Sequence, residues 1–166
     1  MADSITKSIF EGRVRVRVCG ILREENAILM LKHKGIGPNG HLWSPPGGGI
    51  EFGESAEDAL KKEFLEETGL TISVGQFLFV NEYQDNRHHA IELFFEVTRL
   101  AGEIKLGADP ELPKNKQILE ELRWLSFDEI KNMDSGFLHN AFGLTQEPNQ
   151  ITELRGFFKF ANISIK

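Results

Sequence analysis

Apolar and polar residues alternate strictly in "RVRVRVCGIL", with Val14, Val16 and Val18 on one side and Arg13, Arg15 and Arg17 on the other. A period of two predicts a strand. "REEN" follows as a turn, and "AILMLKH" reads as the hairpin partner. "TISVGQFLFVNEY" and "AIELFFEVTRL" are two further β-rich runs joined by the polar turn "QDNRHH", and "ELRWLSF" is a short strand. "SFDEIKNM" starts a late helix with Ser126 as its cap.

The pattern changes period between these strands. Ser55 is a good N-cap with Asp58 three residues later, and Gly69 suits the position just past a helix end, so a helix is expected over about 56 to 68. At about 100° per residue, Leu60 and Phe64 form its core-facing stripe, and Glu63, Glu66 and Glu67 fill the adjoining sector. Ala56 and Ala59 share that sector, and their small side chains leave room for a crevice beside the glutamates. Glu57 with Lys61, Asp58 with Lys62 and Lys62 with Glu66 are spaced for ion pairs, whereas Glu63 and Glu67 repel. By spacing alone two readings stand: a solvated acidic face, or hard oxygen ligands converging on Mg²⁺ or Mn²⁺.

"KGIGPNGHLWSPPGGG" reads as loop with at most a brief strand around Trp43, and "GADPELPKNKQ" as a surface loop. From about Leu138 the pattern is open, with "FFKFANISI" either a strand or an assembly contact. Strands before and after a central helix, with a second helix late, predict an α/β fold with helices packed on a mixed sheet.

Composition narrows what such a fold can do. The chain has 166 residues, 40% of them hydrophobic and 27% charged, which suits one domain over 1–166. A net charge of -6 gives no general pull toward nucleic acid or an anionic membrane, so phosphate chemistry here calls for a cation or a few local basic groups. The single cysteine, Cys19, excludes an intramolecular disulfide and a Cys-rich zinc site. "MADSITKSIFEGR" lacks an apolar signal core, and no run approaches the roughly 18 apolar residues of a membrane span. A cytoplasmic protein is the expectation.

"GGIEFGESAEDALKKEFLEETGL", from Gly48 to Leu70, resembles the Nudix box, G-x5-E-x7-R-E-U-x-E-E-x-G-U, where U is a bulky apolar residue. Gly48, Glu54, Glu63, Glu66, Glu67, Gly69 and Leu70 fall in register, with Phe64 in the first apolar slot. Lys62 stands where the family usually has arginine, keeping the charge but losing the planar fork. "LWSPPGG" and "ELRWLSFDEI" also resemble family features, so the resemblance covers roughly 12 to 134.

The resemblance implies the Nudix fold, an α/β/α sandwich around a mixed β-sheet, and hydrolysis of a nucleoside diphosphate linked to another group. It implies that Glu63, Glu66 and Glu67 are catalytic, metal-binding carboxylates, with the Gly48 carbonyl as a further ligand. Glu54 and Lys62 would support them. The general base stays open between a box glutamate and an acid from a later loop, where Glu120 and Glu121 are candidates. Arg15 and Arg17 meet substrate or form a plain polar strand face, and Trp43 and Tyr83 stack on a base or pack in the core or at its rim. A nucleotide sugar, ADP-ribose or a nucleoside triphosphate is the implied substrate class, and a homodimer is a further possibility. The competing reading is a non-catalytic nucleotide-sensing module on the same fold. A relationship to isoprenoid-diphosphate isomerases is disfavoured, because Cys19 lies in an early strand.

Overall fold

The computed structural model describes residues 10–110 and 112–163. Residues 1–9, on which the reading of the N-terminus mostly rests, and 164–166, at the end of "FFKFANISI", lie outside the described residues.

An eight-stranded mixed sheet carries the chain. Strand β1 (Val14–Glu24) forms a hairpin with β2 (Ala27–Lys34), and Glu25 takes a φ of 49° at the turn. β3 (His41–Ser44) pairs with β2, and the glycine strand β4 (Gly47–Gly49) pairs with β1. Helix α1 (Ala56–Thr68) leads into β5 (Thr71–Asp85) and β6 (His89–Ala101), which form an antiparallel pair. β6 then runs parallel to β1. β7 (Leu119–Ser126) adds to β2, α2 (Phe127–Asn132) follows, and β8 (Gly156–Asn162) closes the far edge parallel to β5.

The helices and strands anticipated from periodicity appear in place. α1 begins at Ser55, whose hydroxyl accepts the Asp58 N–H at 3.0 Å, and ends at Gly69, whose φ of 74° only glycine adopts cheaply. Ser126 and Glu129 make a reciprocal capping box at the start of α2. β4 corrects the sequence expectation of loop through "GGG". Glycine carries no side-chain pattern, and this strand exists because β1 offers its edge at Arg17, Val18 and Cys19.

Two apolar layers sandwich the sheet. On the α1 side, Leu60 and Phe64 pack with Val18, Leu22, Leu29, Ile72 and Val97. Ala59 is fully buried there, so it fills core space rather than opening a crevice. On the other side Ile21, Phe79 and Phe94 meet Ile130 of α2 and Ala141, Phe142 and Ile151 from the short 3-10 helices Asn140–Leu144 and Pro148–Glu153. The tail left open by the sequence is therefore part of this layer, and it ends in strand β8. No described helix is long and apolar enough to cross a membrane.

Candidate active site

β4 and α1 face one another, and the glycines of β4 determine how closely. A Cβ on Gly48 would stand 2.6 Å from each Glu63 carboxylate oxygen, so only glycine lets that carboxylate lie against the strand. The Gly47 N–H donates to Glu67 Oε2 at 3.0 Å. Adjacent backbone units of one short strand thus receive two glutamates one helical turn apart. Glu66 lines the neighbouring cleft of about 200 Å³ with Glu51, Lys62, Glu63 and Pro110.

Crowding these carboxylates has an electrostatic cost. Burial, then the charge of Glu66, pushes Glu63 up to about 7. Burial, then Glu63, raises Glu67 well above the ordinary carboxylate range, against the opposing pull of the Gly47 N–H and Arg17. Like charges brought together out of water favour the protonated form of one partner unless a cation joins them.

Lys62 reaches Glu54 Oε1 at 2.5 Å, and Glu54 Oε2 accepts the Glu51 N–H at 3.1 Å. This pair clamps the loop entering α1 to the middle of the helix. The anticipated Glu57–Lys61 pair forms at 2.7 Å, while the Asp58 carboxylate accepts the Ser55 hydroxyl.

Arg15 and Arg17 project from the side of β1 shared with Cys19 and are half-buried, whereas Val14 and Val16 on the other side are 58% and 45% exposed. The Arg15 guanidinium lies 3.9 Å from the Phe10 ring centre, and Arg17 Nε is 3.9 Å from Glu92 Oε1. Arg17 acts electrostatically on both Glu63 and Glu67.

Other sequence candidates sit elsewhere. Trp43 is 7% exposed within the core, which is the core-packing alternative of the sequence reading. Tyr83 stacks on Phe160 at 5.5 Å and donates to Asp85 at 3.0 Å. Glu120 pairs with His41 at 2.9 Å and Glu121 with Arg123 at 3.3 Å, both on strand β7.

The loop between β6 and β7 supplies an acid that sequence reasoning missed. Gly107 donates its N–H to the Glu67 carbonyl at 2.9 Å, and a Cβ there would run into the Glu66 carbonyl oxygen. Two residues on, the Asp109 carboxylate adds to the negative field on Glu63 and Glu67. Gln117 holds this turn by accepting the Asp109 N–H at 2.6 Å and donating to the Asp109 and Leu112 carbonyls. No local motif marks Asp109, because its place depends on backbone packing along α1.

Among the described residues, no three His, Cys, Asp or Glu side chains converge as a ready-made metal cage. The donor set nevertheless fits Mg²⁺ or Mn²⁺. These are hard carboxylate oxygens that repel one another, and Mg²⁺ is generally held by one or two carboxylates, waters and substrate phosphates rather than by an all-protein cage.

Comparison with known proteins identifies the family. The NUDIX domain family model matches residues 12–142. An ADP-ribose pyrophosphatase of Methanocaldococcus jannaschii is 36% identical over 118 residues, covering 70% of this chain and 69% of that protein. The nucleoside triphosphatase NudI of Escherichia coli is 30% identical over 136 residues, covering 74% and 89%. In fold, a NUDIX hydrolase structure from Nitrosomonas europaea superposes with a TM-score of 0.63 at 20% identity, covering 75% of this chain and 80% of that one. From the box glutamates gathered on a glycine strand and a family match spanning most of the chain, we conclude that this protein belongs to the NUDIX family and is a Nudix pyrophosphohydrolase.

Proposed function

We propose that the enzyme cleaves a pyrophosphate bond in a nucleoside diphosphate linked to another group, with ADP-ribose the first candidate and nucleoside triphosphates and nucleotide sugars next. The observation that carries this reading is the placement of Glu63 and Glu67 of α1 against β4, with Glu66 lining the adjoining cleft. The names of the M. jannaschii and E. coli relatives support the order of substrates.

Glu63, Glu66, Glu67 and the Gly48 carbonyl would hold Mg²⁺ or Mn²⁺. When bound, such a cation acidifies a water and neutralises phosphate charge. The remaining work belongs to the chain's own groups. The Lys62–Glu54 clamp fixes where α1 starts, so that its glutamates face β4. Arg17, whose side chain is 29% exposed, offers N–H donors to a substrate phosphate oxygen. Asp109 replaces Glu120 and Glu121 as the later-loop acid, because it acts on the box glutamates while those two pair with His41 and Arg123. Asp109 or a box glutamate takes the proton from the attacking water. The enzyme works in the cytoplasm, and a homodimer belongs to the same proposal, supported by the exposed apolar side chains Val14, Val16, Phe77 and Phe157.

The test is a product-resolved hydrolysis panel of ADP-ribose, UDP-glucose and the nucleoside triphosphates with Mg²⁺ and with Mn²⁺. Glu66→Gln and Glu67→Gln are run beside the wild type. Both variants are expected to lose about 100-fold or more of kcat, the scale of removing one preorganised electrostatic group. Unchanged turnover in both sinks the ligand assignment, and no turnover by wild type favours a sensing module.

A further inference from the structure

We propose that Glu92 is a positioning residue for hydrolysis, acting through Arg17, and that Asn81 and His139 hold it in place. The proposal rests on the reading that Glu63, Glu66 and Glu67 form the hydrolytic site. None of Glu92, Asn81 and His139 belongs to the box.

Glu92, Asn81 and His139 are 6%, 0% and 8% exposed beside the apolar layer that holds Phe79, Phe94 and Ala141. An ionised carboxylate in such a place is costly unless it is paired and fully hydrogen-bonded. Glu92 meets that condition. Its Oε2 accepts from Asn81 Nδ2 at 2.8 Å and from His139 Nε2 at 2.9 Å. The Ala141 N–H donates to His139 Nδ1 at 3.1 Å, so the ring turns its N–H at Nε2 toward Glu92. Asn140 in turn donates to the Asn81 side-chain carbonyl at 2.9 Å.

This leaves Glu92 Oε1 shared between His139 at 3.2 Å and Arg17 Nε at 3.9 Å. On strand β1, Arg17 has Glu92 opposite it on one side and Gly49 of the glycine strand on the other. Its guanidinium, close to Glu92, also feels the negative charge of the Glu63 and Glu67 carboxylates. Released from Glu92, the guanidinium would be drawn onto the box carboxylates, where it would compete with a cation and be lost to the substrate. Held by Glu92, it keeps its fork directed at an incoming phosphate. The segment that anchors Glu92, His139 with Asn140, comes from beyond the box, between α2 and β8.

The test is a double-mutant cycle on the full chain with Arg17→Gln, Glu92→Gln and the pair, using ADP-ribose and dGTP as probes with Mg²⁺. Each single variant is expected to raise KM on the order of tenfold, the scale of one charge-assisted hydrogen bond, with kcat within a factor of a few. The double variant is expected to be no worse than Arg17→Gln. In a parallel thermal titration, Glu92→Gln is expected to need more Mg²⁺ for the same melting shift, because the freed guanidinium competes for the glutamates. Additive KM losses, or a Glu92→Gln protein that only melts lower with KM and Mg²⁺ response unchanged, would overturn the proposal. If Glu92→Gln does not fold, His139→Gln takes its place under the same expectation. If wild type turns over neither probe, the hydrolytic reading fails, and calorimetric binding of both probes without metal by the same variants still decides the coupling. Additive losses there, or no binding by wild type, would reject it.

Discussion

Replacing Gly48 by alanine brings a methyl group 2.6 Å from both Glu63 carboxylate oxygens, so the Glu63 side chain has to swing off β4. Overpacking of this kind costs about 1 to 3 kcal/mol, and a catalytic group shifted by about 1 Å can lose roughly 100-fold in rate. Gly48→Ala is therefore expected to fold with a lowered melting temperature and to lose activity on that scale; activity near wild type would show that Glu63 need not touch β4. Glu63 also sets a pH dependence. Pushed up to about 7 from an ordinary 4.5, it binds more protons in the folded than in the unfolded state between those values. Stability of the cation-free protein is then expected to fall as pH rises through that window. Glu92 has the opposite sign. Burial acts to raise it, but His139, then Arg17 and Asn81, outweigh that and lower it to about 2, so its contribution is complete above the ordinary value and is lost only as pH falls toward 2. Melting curves from pH 5.5 to 8 in a chelating buffer should decline for wild type and flatten in Glu63→Gln. An equal decline in both would assign the effect to another group.

At the scale of elements, α1 was legible because its signals are local: a cap at Ser55, a stop at Gly69, and apolar positions Leu60 and Phe64 one turn apart. Ser55→Ala is expected to cost about 1 kcal/mol, read as a shift in the urea midpoint. β4 was illegible because its identity lies in its neighbour β1 rather than in its own residues. Glu92 carried a signal that could have been used. In "AIELFFEV" it is in phase with Phe94, a core position, and a carboxylate there asks for buried partners. The β6–β7 loop carried none, since only packing shows that Gly107 abuts the Glu66 carbonyl and brings Asp109 toward the site. Gly107→Ala should push this loop off α1, with kcat falling about 10- to 100-fold while the far-UV spectrum is retained. Retained kcat would remove Asp109 from the reaction.

At the scale of the whole molecule, a net charge of -6 opposes an anionic substrate, so a cation held by the box glutamates would serve both binding and stability. Mg²⁺ at about a hundred times its Kd is expected to raise the melting temperature by roughly 5 to 10 °C. The same rise in a Glu63→Gln, Glu67→Gln double variant would place the cation elsewhere. The family resemblance made α1 readable, yet part of the apolar layer on the opposite face comes from the tail, whose 3-10 helices are too short to announce a period. Ala141, Phe142 and Ile151 do the work of a longer helix there.

The network behind Arg17 also has a consequence in time. It joins residues 47 and 59 positions apart in the chain, whereas α1 is closed by contacts three and four residues apart. Loop closure of that length makes the network a late event, and the local helix an early one. During refolding from urea, the helical signal should therefore return first, and turnover of whichever substrate the hydrolysis panel identifies should wait for the tail to dock.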